Sequence, residues 1–309
     1  MVIRAYAFKR ILASVPVLLL VSIVVFGMVF MLPGDPLLAL MEEVSLSPQR
    51  MDELREAMGL NDPIYVQYLR FFRNAIRGDL GRSTRSSQPV ATILMAQIGS
   101  TLELAFAAVA ISITLGIPFG VVAAIYRSRW TDSLVMVLSL LALSMPNFWL
   151  GFLLIILFSY NLEWLPSVGA GSVRQLILPA LVLGLSGMGT LARITRSAML
   201  DTLSQDYIRT ARAKGLAEWV VLSKHALRNA FLPIMTLIGI NMASVLSGAV
   251  VVETVFSRPG IGRVAISAID NRDFPVVQGT VLLAAVFYVV VNLLVDLAYG
   301  LVDPRIRYD

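Results

Sequence analysis

The 309-residue chain contains no cysteine and a single histidine, His225. No disulfide and no thiolate chemistry is therefore available, and the usual soft-ligand metal sites cannot be assembled. No G-x-x-x-x-G-K-[ST] stretch occurs, which excludes nucleotide hydrolysis by a P-loop. No serine stands in G-x-S-x-G or S-x-x-K spacing, so no acyl-transfer nucleophile is marked. Charge is also scarce, at 15% of residues, against 57% hydrophobic. That balance leaves too little polar surface for a soluble domain of this size and points to a membrane protein.

Six apolar runs approach the roughly 20 residues that a bilayer-spanning helix needs. They are Ile11–Leu32, Ile98–Ile125, Leu134–Phe158, Leu176–Leu191, Ala230–Val252 and Val276–Leu301. The fourth is the shortest and is rich in glycine (Gly184, Gly187, Gly189). None alternates with period two, which excludes an outer-membrane barrel. Six spans put both termini on one side. Lys and Arg in short loops decide which side, since they concentrate in the cytoplasm. Arg4, Lys9, Arg10, Arg127, Arg129, seven residues between Arg193 and Arg228, Arg305 and Arg307 fall on one side. The other side's short loops carry only Arg174, Arg258, Arg263 and Arg272. Both termini are therefore expected in the cytoplasm, and the basic excess reflects topology rather than nucleic-acid binding. The first apolar run is about twice the length of a signal-peptide h-region and ends in "LPGDP", so it reads as a retained anchor.

An external loop, residues 33–97, carries two expected helices. One lies in "SPQRMDELREAMG", opened by Ser47 and Pro48 and closed by Gly59. The other lies in "DPIYVQYLRFFRNAIRG", with Tyr65, Tyr68, Leu69, Phe72 and Ile76 as its apolar stripe, expected to rest on the protein's own spans. Between the fourth and fifth spans runs "DYIRTARAKGLAEWVVLSKHALRNAFLPI", cytoplasmic by the charge count. Ser204 or Asp206 can cap a short helix there, and Gly215 stands where a left-handed C-cap would stop it. A second helix is expected from about Leu216 to Ala230, with Trp219, Leu222, Ala226 and Leu227 on one face. A bent, basic pair of helices suits a docking element for a cytosolic protein better than an interfacial helix pair, which would not require the glycine.

Ionisable groups in spans are the usual clue to ion coupling. Glu103, Glu253 and Asp296 all fall near span ends rather than at the midplane, so structural hydrogen bonding is their expected role. On the fifth span, Asn241, Ser244 and Ser247 form a small polar stripe with Gly248. Such a stripe serves either close helix packing or a route for solute.

Six motifs occur in order: "LPGDP" (Leu32–Pro36), "GDLGRS" (Gly78–Ser83), "DYIRTARAKGL" (Asp206–Leu216), "HALRNAFLP" (His225–Pro233), "VFSRPGIGR" (Val255–Arg263) and "DPRIRY" (Asp303–Tyr308). With them the chain resembles, nearly end to end, the membrane subunits of ABC importers for di- and oligopeptides. The resemblance implies an all-α, six-helix integral membrane protein with the type I ABC importer permease fold, one permease domain over residues 1–309. It also implies that residues 199–229 form the coupling loop. There the family's E-A-A letters align with Arg209, Thr210 and Ala211, and its glycine with Gly215. Tyr207, Ile208, Arg209, Thr210, Ala211, Arg212, Ala213, Lys214 and Gly215 are thereby the expected ATPase-coupling residues. Asn241, Ser244 and Ser247 fall on the span that the family places beside the translocation path.

The implied partners are a homologous second permease, two ATPase subunits that bind ATP and Mg, an external solute-binding protein and the bilayer of a bacterial or archaeal cytoplasmic membrane. This chain itself would hold no cofactor and catalyse nothing. Peptide is the expected cargo; glutathione, nickel complexes and oligosaccharides are alternatives within the class. An ion-coupled secondary transporter is the rival from another class.

Overall fold

The computed structural model describes residues 2–31 and 61–302. The expected helix at 47–59 and the LPGDP and DPRIRY motifs lie outside the described residues. Among the described residues the regular elements are helices, apart from one isolated bridge between Arg82 and Pro89. It divides into two compact units, one drawn from Met1–Gly99 and Gly260–Val290, the other from Ser100–Pro259 and Val291–Asp309.

In the first unit, α1 (Val2–Met31) precedes the short helix α2 (Ile64–Ile76). α2 begins after Pro63, whose fixed φ suits a helix start, and stops before Gly78 at φ +81°. Its contact with α1 runs through Tyr68 and Phe71, whose rings pack on Phe26, and through a 2.9 Å bond between the Tyr68 and Ser22 hydroxyls. The expectation that α2 rests on a span therefore holds, with Tyr68 of the expected stripe in the contact and Phe71 beside it. Tyr65, Leu69 and Ile76 of the expected stripe are exposed. The unit is completed by α10 (Ile261–Asp270) and the outer part of α11 (Phe274–Val302). The GDLGRS motif is anchored here: Ser83 Oγ donates to Asp273 Oδ2 at 2.5 Å and the Thr84 N–H donates to Asp273 Oδ1 at 3.1 Å.

The second unit is built around α6 (Val173–Leu203). Its start is fixed by a capping box in which Ser172 and Gln175 satisfy each other's backbone donors. The glycines that make this span look weak in sequence are packing positions. A Cβ on Gly184 would stand 2.7 Å from Ile111 of α3 (Val90–Ile125), and one on Gly189 would stand 2.4 Å from the Ser139 carbonyl of α4 (Trp130–Ser144). Ser112 Oγ also donates to the Gly184 carbonyl at 2.9 Å. Small residues let membrane helices approach to backbone distance, where dispersion and such bonds replace the hydrophobic effect.

The third span is not one helix. α4 ends at Ser144 and α5 (Asn147–Leu154) departs at 106°, continuing as a π-helical stretch to Asn161. Pro146 explains the break, since proline lacks an N–H and biases the preceding Met145 towards extended backbone, here ψ 126°. Only together do the two halves have the length and hydropathy of a span. α4 packs at the mid-length Gly189 of α6, whereas Gly151 of α5 meets Val255 and Phe256. Counting this pair as one, six helical segments have the length and composition to span a bilayer, matching the expectation.

Candidate functional site

The basic segment forms α7 (Asp206–Ala213), followed by a turn at Gly215 with φ +75°. The expected left-handed stop is present, and such a conformation costs a β-carbon roughly 1–2 kcal/mol. Neither expected cap operates: the N-cap is Gln205, without a side-chain bond, and Asp206 sits in the first turn. The chain re-enters helix at Glu218 (α8, Glu218–Val220), passes through a π-helical stretch (Val221–Leu227) and runs unbroken into α9 (Arg228–Val255). The second short helix of the sequence reading is thus the inner extension of span five. Trp219 is exposed rather than on the inward face, which is formed by Val221 and Ala226.

α7 has two distinct sides. Ile208 and Ala211 are buried, packed in a cluster with Leu191 and Met199 of α6, Val221, Ala226 and Ala230. Tyr207, Arg209, Thr210, Arg212, Ala213, Lys214 and Gly215 are exposed. Two polar ties hold the bend. Asn229 Nδ2 donates to Tyr207 Oη at 2.9 Å, and Arg212 forms a two-pronged pair with Glu218, at 2.6 and 3.1 Å, across the glycine turn. The Arg212 bond holds the Glu218 carboxyl below its ordinary range, and Glu218 in turn raises Arg212. α7 is therefore a small basic platform whose root is embedded between spans four and five.

The polar stripe on α9 separates into two faces. Ser244 and Ser247 are exposed, on a continuous exposed row with Thr236, Ile240, Val251 and Thr254. Asn241 turns inward, its Nδ2 near Gly187 and without a hydrogen-bond partner among the described residues.

Two ion pairs, both invisible to local motif reading, tie span ends together. Asp132, buried at the start of α4, receives Arg196 Nε at 2.6 Å and Nη2 at 2.7 Å, and also the Ser128 N–H at 3.0 Å. Near the opposite end of this unit, Arg258 Nη2 donates to Glu103 Oε2, and Thr101 Oγ1 donates to Glu253 Oε1 at 2.6 Å. Glu103 and Glu253 thus have the structural bonding expected of them; the side chain of Asp296 lies outside the described residues. No cluster of metal-ligating side chains occurs among the described residues.

Comparison with known proteins agrees with this architecture. The family described as "Binding-protein-dependent transport system inner membrane component" matches residues 116–308, and its N-terminal counterpart matches residues 3–105. A chain named as a peptide transport system permease protein of Brucella abortus (strain 2308) is 45% identical over 313 residues, spanning 99% of both chains. A glutathione transport system permease protein of Escherichia coli (strain K12) is 42% identical, covering 98% of this chain and 99% of its own. Among solved structures, a chain of the MetNI methionine ABC transporter superposes with a TM-score of 0.59 over 68% of this chain and 96% of that one, at 17% identity, which establishes a shared fold. The chain belongs to the inner-membrane components of binding-protein-dependent ABC importers: a multi-pass, non-catalytic permease whose ATP is handled by partner subunits.

Proposed function

We propose that this permease imports peptides or peptide-sized solutes, and that residues 206–215 are the element through which ATP hydrolysis moves its spans. The observation that carries the coupling role is the two-sidedness of α7: Ile208 and Ala211 root it among spans four and five, while Tyr207, Arg209, Thr210, Ala213 and Lys214 face outward. A push on the exposed side is transmitted directly to the helices below. Residues 1–309 act as one permease domain, with 33–97 outside and 199–229 in the cytosol. The chain pairs with a homologous second permease, two ATPase subunits and an external solute-binding protein. Ser244 and Ser247 face the solute route, and Asn241 serves helix packing instead.

The names of the similar chains from Brucella and Escherichia coli support peptide or glutathione over nickel complexes or oligosaccharides. Uptake of labelled dipeptide and of glutathione by the complete transporter in proteoliposomes tests the cargo. Uptake that persists with ATP after the proton gradient is collapsed is the expected result; loss of uptake would favour an ion-coupled carrier. In this cysteine-free chain, Ser244→Cys and Ser247→Cys are expected to react with a water-soluble thiol reagent in at least one nucleotide state, and Asn241→Cys to stay protected.

A further inference from the structure

Arg258 follows α9 in the turn after Ser257, a non-glycine residue held at φ +46°. Its side chain is 1% exposed. A guanidinium offers a planar fork that matches a carboxylate through two parallel bonds. Here only one prong is used: Nη2 meets Glu103, while Nε and Nη1 are buried with no partner among the described residues. The acid is placed differently, with 54% of its side chain exposed. The pair joins a buried, incompletely satisfied cation to a half-exposed anion.

Depth matters next. α3 has 36 residues, so it is about 54 Å long against a hydrocarbon core of about 30 Å. Glu103 lies some 22 residues, or about 33 Å, from the α3 end at Ile125. That places it at the interface opposite the basic segment, where an anion arriving from water can reach. Withdrawing Glu103 alone would leave a buried cation bare, which proteins do not tolerate without a replacement. Two residues earlier on α3, the bond from Thr101 to Glu253 provides a second strut between α3 and α9 that does not depend on Glu103.

We propose that Arg258 is a carboxylate-exchange site: Glu103 is its resident occupant, and a carboxylate of the incoming solute takes its place. One carboxylate leaves as another arrives, so the charge of the site is unchanged and no proton moves. The solute half of the proposal rests on the peptide reading above. Peptides and glutathione carry the required group, and a neutral oligosaccharide does not.

The test uses the assembled transporter in nanodiscs, with ATP hydrolysis as the readout. Glu103→Ala vacates the site, Glu103→Gln keeps it filled with a neutral acceptor, and gel filtration of each complex checks assembly. Glu103→Ala is expected to lose hydrolysis several-fold and to recover in excess sodium formate, but not in sodium chloride of equal ionic strength. Glu103→Gln, which fills the site without charge, is expected to fall between Glu103→Ala and the unaltered protein and to respond less to formate. In place of formate, a dipeptide with a free C-terminal carboxylate should also restore Glu103→Ala, and its C-terminal amide should not. Full activity of Glu103→Ala in chloride, or an assembled Glu103→Ala that formate does not move, overturns the exchange site. Rescue by formate with no difference between the dipeptide and its amide keeps the site and refutes the solute assignment alone.

Discussion

The two long-range ion pairs of the second unit make opposite use of the same chemistry. At the inner end, Asp132 and Arg196 meet in a two-pronged bond, and the Ser128 N–H satisfies the acid further. Toward the outer end, Arg258 holds Glu103 by one nitrogen while two others have no partner among the described residues. A fully satisfied buried pair resists change, because removing either partner strands the other. An incompletely satisfied one has a vacancy that another acceptor can fill. Stiffness at the inner end suits the proposed coupling platform, and vacancy at the outer end suits the proposed exchange site.

The largest expected effect comes from breaking the stiff end. Arg196→Ala leaves Asp132, 5% exposed, without its cation, and should cost about 3 kcal/mol. The check is the melting temperature of the purified permease. Adding Asp132→Ala should recover part of the loss, because no buried charge then remains; a double variant worse than Arg196→Ala would contradict this account. Next comes Gly120→Ala on α3. Its Cβ would stand 2.5 Å from both the Ala192 carbonyl and the Thr195 side chain of α6, one turn from the Arg196 clasp. Backbone cannot yield there, so a loss of about 1–3 kcal/mol in the same assay is expected.

Smaller again is Gly215→Val, which has open space but the wrong φ, and should cost about 1–2 kcal/mol locally. It sharpens the comparison by separating stability from coupling. Membrane insertion should survive while ATPase association or stimulated hydrolysis falls. Full transport by Gly215→Val would remove the bend from the coupling mechanism.

What the sequence made legible, and what it did not, follows from range. Spans, caps and the Gly215 turn depend on neighbours within a few residues, and they were readable. The break in span three was masked because its apolar run continues through Ser144–Phe148; only Pro146 marks it. Trp219 leaves the face that α-helical spacing would give it with Ala226 because Val221–Leu227 winds as a π-helix, whose wider turn shifts the phase between them. The Asn241 and Ser244 positions differ in exposure although they are one turn apart, because which side of α9 is covered depends on Gly187 of α6. Arg258 and Glu103 are separated by 155 residues, so no local pattern could pair them.

The smallest expected effect lies at the Arg212–Glu218 pair, and it tests whether the platform on the stiff side is itself stiff. The two side chains are 44% and 55% exposed, so screening by water and salt limits the pair to less than about 1 kcal/mol. Its sign with pH is nevertheless defined. The Glu218 carboxyl is held below its ordinary value of 4.5 by the Arg212 bond, so the folded bend binds that proton less readily than the unfolded chain does. The contribution is fully present above about pH 4.5 and is lost as pH falls through the lowered folded value. Arg212 stays protonated throughout and adds no dependence near neutrality. Hydrogen exchange of the amides from Asp206 to Val220 should therefore be equally protected, after correction for intrinsic rates, from pH 8 to pH 5. Protection should weaken only below that window, and Glu218→Gln should remove the acid dependence while leaving the buried Ile208 amide slow. If Ile208 loses protection together with the exposed amides, the bend is held by the ion pair rather than by the apolar root, and the platform would not transmit a push as one piece.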